Sequence, residues 1–263
     1  MNKIEILCAT MNQSDFSKIE EMNIKSDVVF ANQADRYDYS EKKFDGGTAK
    51  MITTAERGVG KNRNTALLYA SGSICLIADD DIRYSDDYVR TVTQAFEELP
   101  DADIILFNFT TTNEERRQAP ITKLTRFRRW SRSGFAAFNI AFRLDAVQKA
   151  NIWFSVLYGG GAKYSSGEDS LWINDALKAG LKIYRHPAVI GEVNFDVSSW
   201  FNGYTEKFFV DKGVIYANMH PTICGLRSLV FLATHTRLYK GTYTFSQAYK
   251  LMKRGIKEFK THN

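Results

Sequence analysis

Short apolar runs recur at Ile4–Ala9, Val28–Ala31, Met51–Thr54, Ile74–Ala78 and Ile104–Phe109, separated by polar stretches with helical spacing. Runs of this length and character are buried strands, and their alternation with helices predicts an α/β fold with a mainly parallel sheet covered by helices. A chain of 263 residues still fits one core, because single cores stop growing only near roughly 250–300 residues. The α/β rhythm fades after Val193, so the expected division is a main domain over 1–193 and an aromatic, helical extension over 194–263.

Two helices are well marked. Ser85 is placed to cap the first, Val89, Val92, Phe96 and Leu99 share one face, and Pro100 ends it. The second begins near Asp169, runs to Ala179 and has Gly180 where a left-handed C′ residue belongs. The polar, basic segment from Thr110 to Ser133 has no clear period and is expected to be a mobile loop or short helical excursion over the site.

With 44% hydrophobic and 25% charged residues and only four prolines, neither a disordered nor a fibrous chain is indicated. There is no apolar run long enough for a secretory signal or a membrane span, and Cys8, Cys75 and Cys224 lack metal-ligand spacing, so a cytoplasmic protein with reduced, buried thiols is expected. The net charge of +5 is unevenly placed: residues 225–263 carry eight Lys or Arg against one acid, and residues 114–132 carry seven against two. Such patches suit anionic lipid surfaces or phosphates. Nucleic acid is not expected as a partner, since no recognised binding motif accompanies them.

The chemistry concentrates in RGVGKNRNTALLYASGSICLIADDDIRY, Arg57 to Tyr84. In open parallel sheets ligands bind beyond the carboxyl ends of the strands, where Asp79, Asp80 and Asp81 emerge from ICLIA. Adjacent carboxylates repel one another, and a magnesium-like ion that relieves the repulsion completes its shell with substrate phosphates. Arg57, Lys61 and Arg63 are candidates for contact with those phosphates or for ion pairs that order the aspartate turn, while Asn62 and Asn64 are candidate helix caps. Downstream, GGGAKYSSGEDSLW places Glu168 and Asp169 at a helix start, which keeps a carboxylate ionised and able to take a proton from a hydroxyl. The glycines before them permit close approach of a sugar, and Trp172 is either an acceptor floor or a core residue.

GVGKNRNTALLYASG leading into LIADDD, followed by SSGEDSLW, resembles the GT-A fold glycosyltransferases of family 2, the type that makes bacterial polysaccharides. The resemblance spans roughly Ile4 to Ile190 and implies a Rossmann-like catalytic domain over 1–193, with a donor half over about 1–110 and an acceptor half over about 134–193. It implies a nucleoside-diphosphate sugar, UDP-linked by default, with Mn²⁺ or Mg²⁺ as cofactor. Asp79 and Asp81 become the DxD pair, with Asp81 as the foremost metal ligand and Asp80 sharing either role. Asp169 becomes the base, with Glu168 sharing the task or binding acceptor. Thr10 is implied at the nucleotide; Asn32, Gln33 and Asp35 stand where an acidic residue reads the base; and Gly160 and Gly161 fall on the acceptor side. The stretch from Ser198 to Gly213 reads as a lid, with Lys212 touching phosphate. The reaction implied is an inverting, metal-dependent transfer to a hydroxyl of a glycan acceptor, lipid-linked at the inner face of the membrane. The alternatives are an inactive accessory subunit and a nucleotidyltransferase. Donor sugar, linkage and oligomeric state stay open.

Overall fold

The computed structural model describes residues 3–113, 118–129, 131, 135–194 and 203–262. Ten strands make one sheet: β1 (Ile4–Met11), β2 (Asp27–Gln33), β3 (Asp38–Phe44), β4 (Gly47–Thr54), β5 (Ile74–Asp79), β6 (Ile82–Tyr84), β7 (Ile104–Thr110), β8 (Thr125–Phe127), β9 (Ile140–Arg143) and β10 (Ile183–Val193). Their order is β3-β4-β2-β1-β5-β9-β7-β10-β6, with β8 beside β10. The strands β4, β2, β1, β5, β7 and β10 point the same way, and the short β9 is inserted antiparallel between β5 and β7. The five apolar runs are β1, β2, β4, β5 and β7, all in this co-directional set.

Among the described residues eight α-helices complete the fold: α1 (Lys18–Glu21), α2 (Val59–Leu68), α3 (Tyr88–Glu98), α4 (Leu144–Lys149), α5 (Glu168–Lys178), α6 (Glu206–Met219), α7 (Cys224–Thr234) and α8 (Phe245–His262). Alternate strand residues serve two cores. Ile6, Cys8, Phe30 and Leu76 meet Val92 and Phe96 of α3 on one face, while Leu7, Val29 and Ile77 meet Ala66 of α2 and Trp172 and Ile173 of α5 on the other. Burial on both faces is why the parallel strands read as continuous apolar runs. All three cysteines are free and buried.

Several local expectations are corrected. Ser85 lies outside α3, which Asp87 precedes; the Ser85 hydroxyl instead bonds Asp87 and the Ile190 carbonyl. The Thr110–Ser133 segment is not wholly loop, since β8 pairs antiparallel with β10 through Phe127 and Ile183; three residues are too few to show a period. Residues 114–117, 130 and 132–134 of that segment lie outside the described residues. The strand β3, DYSEKKF, escaped notice because an exposed edge strand has no apolar signature. By contrast, α5 ends as expected: Gly180 takes φ 86°, its N–H bonds the Leu177 carbonyl at 3.2 Å, and Leu181 N–H reaches back to Ala176 at 3.0 Å.

The extension is a three-helix unit in which α6 and α8 cross at touching backbones. A Cβ on Gly213 would lie 2.1 Å from the Met252 carbonyl oxygen, and one on Gly255 would lie 2.0 Å from that of Val210. The other face of α6 packs Val214 and Ile215 against Tyr158, Tyr164 and Leu171 of the main domain. Among the described residues no helix is long and apolar enough to cross a membrane. Gly213→Ala or Gly255→Ala is expected to cost about 1–3 kcal/mol by forcing the helices apart. Calorimetry should show a Tm lower by about 2–10 °C, and a Tm at or above wild type would show that no close crossing is needed.

Candidate functional site

The carboxyl ends of β1 and β5 are adjacent, with Ala9 opposite Asp79, and a cleft of about 1100 Å³ opens beyond them. One wall is Asp79 at the end of β5 with the turn Asp80–Asp81 that leads into β6. Thr10 Oγ1 donates to Asp80 Oδ2, Lys18 Nζ donates to the Asp80 carbonyl at 3.2 Å, and Asn194 N–H holds the Asp81 carbonyl at 2.9 Å. Asp81 is the unsatisfied member: its Oδ1 is buried with no hydrogen-bond partner among the described residues. Burial, with the charges of Asp79 and Asp80 added, pushes its carboxyl up to about 7.

The opposite wall is the loop Ser165–Gly167 and the first residues of α5, Glu168 and Asp169. Burial, followed by the charge of Glu168, raises the Asp169 carboxyl to about 6; the Ser170 N–H at 2.6 Å, Arg63 and Lys212 oppose the rise. Between the walls lies Arg63 of α2, its side chain 5% exposed. Its Nη2 donates to Asp79 Oδ1 at 2.7 Å and its Nη1 to Glu168 Oε1 at 2.8 Å. Burial works against the guanidinium charge, but the two carboxylates more than reverse this and raise its pKa above the ordinary arginine value.

Of the residues singled out in the sequence, Thr10, Gln33, Asn62, Arg63, Asp79, Asp80, Asp81, Gly160, Glu168 and Asp169 line this one cleft. The others are placed differently. Asn32 is fully buried and spends its amide on the Gln13 backbone and Thr53 Oγ1, which makes it a brace between β2, β4 and the loop after β1. Asp35 and Arg57 pair with each other at the surface, and Lys61 pairs with Glu56 at 2.5 Å. None of these four lines the cleft, nor does Gly161. Asn62 and Asn64 do not cap α2; they tie it to the Thr10 carbonyl and to the Phe154 backbone.

Trp172 is no acceptor floor: it is 1% exposed and stacks on Phe154 at 5.4 Å inside the core. Lys212 does not reach the cleft as a phosphate contact. It sits on α6 over the rings of Tyr216 and Phe231, at 5.7 and 5.3 Å from their centroids, where burial lowers its pKa and Asp169 opposes that shift. The lid expected from Ser198 to Gly213 is helix α6 from Glu206 onward, while residues 195–202 lie outside the described residues. Lys18 and Glu192 also line the cleft although neither belongs to a motif, whereas Thr110–Thr112 open the segment expected over the site and Ser165 opens SSGEDSLW.

The carboxylates fit a hard divalent ion of the kind that takes one or two protein oxygens and finishes its shell on phosphates. Among the described residues no group of three or more His, Cys, Asp or Glu side chains is arranged to hold a metal ion. The orphaned Asp81 Oδ1 is an oxygen without a ligand in such a half-built shell.

Residues 30–155 match the family described as Glycosyl transferase family 2. The chain carries a segment similar to glycosyl transferase family 2, just under half of its length, within a GT-A-type fold. That segment runs from within β2, through α2 and the aspartate turn, to just before the glycines ahead of α5. A crystal structure of S. aureus TarS 1-349 in complex with UDP has a TM-score of 0.64 and 13% identity, covering 99% of this chain and 92% of that one. The complex of TarS 1-349 with UDP-GlcNAc gives 0.60 and 13%, covering 98% and 71%. The mannosyltransferase PcManGT from Pyrobaculum calidifontis, in complex with GDP-Man and Mn²⁺, gives 0.53 and 13%, covering 100% and 88%. At these identities the likeness is one of fold. No curated protein sequence matches the chain significantly.

The raised Asp81 carboxyl makes the stability of the protein depend on pH. A folded-state pKa above the unfolded value means that the native state loses stability as pH rises from about 4 to about 7. Asp81→Asn is therefore expected to stabilise the ligand-free protein at pH 7.5 by at least about 1 kcal/mol, raising Tm by about 2–4 °C. An unchanged or lower Tm in differential scanning fluorimetry would show that Asp81 is not electrostatically strained.

Proposed function

We propose that this chain transfers a sugar from a nucleoside-diphosphate donor, UDP-linked by default, to a hydroxyl of a lipid-linked glycan in bacterial polysaccharide synthesis, inverting the anomeric configuration. The observation that carries the reading is the Arg63 bridge, which brings two carboxylate clusters from distant parts of the chain into one cleft. One cluster suits a cation and diphosphate, and the other suits a proton-accepting base. Nucleotidyl transfer would use the first cluster and leave the second without a role. The TarS structures that hold UDP and UDP-GlcNAc, and the archaeal structure that holds GDP-Man and Mn²⁺, support a nucleotide-sugar donor.

In this reading Asp81 and Asp79 would hold Mn²⁺ or Mg²⁺, which when bound would supply Lewis-acid stabilisation to a leaving diphosphate. Thr10 and Lys18 fix the aspartate turn around them. The carboxylate of Asp169 accepts the proton of the acceptor hydroxyl while that oxygen bonds to the anomeric carbon. The bond from that carbon to the diphosphate breaks, and the diphosphate departs with the electron pair. A single displacement from the face opposite the leaving group inverts the centre. Arg63 holds Glu168 in place beside the base.

Asp169→Asn is expected to lower transfer about 10²–10⁴-fold with nucleotide affinity unchanged. Because Asp169 acts as its ionised form, wild-type kcat/KM should fall as pH drops below about 6. Full activity in the variant, or product of retained configuration, would overturn the mechanism. Thermal-shift titration with UDP-, GDP-, dTDP- and CMP-sugars, with and without Mn²⁺, identifies the donor; no response to any of them would return weight to an accessory subunit.

A membrane surface as partner is supported by the extension. α7 exposes Leu226 and Val230 one turn apart, and α8 exposes Lys250, Lys253, Arg254, Lys257 and Lys260 along one face. Apolar and cationic faces together suit an anionic bilayer. Leu226→Glu with Val230→Glu is expected to abolish co-sedimentation with phosphatidylglycerol vesicles at 0.1 M salt, and unchanged sedimentation would remove the membrane from this reading.

A further inference from the structure

The loop that carries Glu168 and Asp169 is not held by the sheet that holds the aspartate turn. We propose that Asp211, on α6 and outside the cleft, is a positioning residue for sugar transfer, latching the Ser165–Gly167 loop so that the carboxylates at the start of α5 face the aspartate turn. This rests on the reading of that loop as the acceptor-side wall.

Asp211 is 3% exposed. Its Oδ2 accepts the Ser165 backbone N–H at 2.9 Å and the Ser165 hydroxyl at 2.8 Å, and Lys207 Nζ binds both of its oxygens at 2.7 and 3.0 Å. A carboxylate taken out of water needs such partners to offset its desolvation, and here two of the donors belong to a single residue of the cleft wall. Three further contacts fasten the same loop to the extension. Lys207 Nζ also donates to the Lys163 carbonyl at 2.8 Å, and Tyr164 OH donates to Glu258 of α8 at 3.0 Å. Gly167, at φ 104°, sits so close to Ile215 that a Cβ there would lie 2.7 Å from the Ile215 Cδ1. On the donor side the aspartate turn is held by β1, α1 and Asn194 instead. The two walls of the cleft share the Arg63 bridge, and the extension adds a second support to the Ser165–Gly167 loop. A displacement of about 1 Å in a reacting group costs about 10²-fold in rate, so loss of the latch is felt in chemistry before it is felt in donor binding.

The test uses the full chain and the variants Asp211→Asn, Asp211→Glu and Ser165→Ala. Hydrogen–deuterium exchange should rise about tenfold or more over residues 158–170 in Asp211→Asn, while residues 74–84 exchange as in the wild type. UDP release from UDP-N-acetylglucosamine with Mn²⁺ should fall about 10–100-fold in kcat, with KM for the donor and the Kd of UDP within twofold of wild type. Asp211→Glu should recover part of the rate, and Ser165→Ala, which keeps the backbone bond, should lose less. Wild-type exchange over 158–170, or loosened exchange with kcat within twofold, would overturn the proposal. The exchange readout needs no donor, so it decides the latch even if the glycosyltransferase reading fails. If Asp169→Asn keeps its rate while Asp211→Asn loses it, the latch stands and the base assignment moves to Glu168.

Discussion

Arg63 spans the cleft floor with one guanidinium nitrogen on Asp79 and the other on Glu168. Removing a charge from water is costly unless strong, directed partners replace the lost hydration. A planar guanidinium with donors in a fixed fork meets that requirement only if both carboxylates stand at set positions. Asp79 is set by the end of β5, Glu168 by the start of α5, and Arg63 by α2, which Asn62 and Asn64 tie to β1 and to the Phe154 loop. The ion bridge thus depends on three elements from distant parts of the sequence, and the shape of the cleft depends on the bridge.

The charges left over after this pairing are the ones with chemistry to do. Asp79 and Glu168 pair with Arg63, whereas Asp81 and Asp169 sit next to the paired acids, desolvated, with the charges of Lys18 on the one and of Arg63 and Lys212 on the other only partly offsetting this. Each is pushed toward its protonated form, Asp81 to about 7 and Asp169 to about 6. Stored electrostatic strain of this kind costs stability and is relieved by what binds or reacts there. The aspartate turn is held by the sheet and the Ser165–Gly167 loop is braced by α6, with Arg63 joining the two sides.

The aspartate turn and the Gly-Glu-Asp helix start were legible because each joins a local structural signal to its chemistry: an apolar strand before three acids, and glycines before a helix that opens with two. Helix α5 was legible to its last turn through Gly180. The basic residues before the turn could not be sorted in this way. Arg57, Lys61 and Arg63 lie within one short polar stretch, yet two pair with surface acids and one is buried. What separates them is the face of α2 that meets the sheet, and Gly60 packs on that contacting side against the Ser155 carbonyl. Trp172 and Lys212 were equally open, since an aromatic or a lysine at helical spacing faces the core or a ligand according to what the next layer presents.

By itself the sequence determined the parallel strands, the helices beside the two acidic clusters and the class of chemistry those clusters can perform. These follow from short-range physics: burial of alternate residues, helix signals, and repulsion among neighbouring carboxylates. Only the tertiary structure decided which acids share a cleft, which arginine bridges them, and that α6 and α8 hold the acceptor-side loop through Asp211, Glu258 and Ile215. Those outcomes depend on pairings between residues far apart in the chain. Such pairings leave no periodicity in the sequence, because their geometry is created when the layers pack.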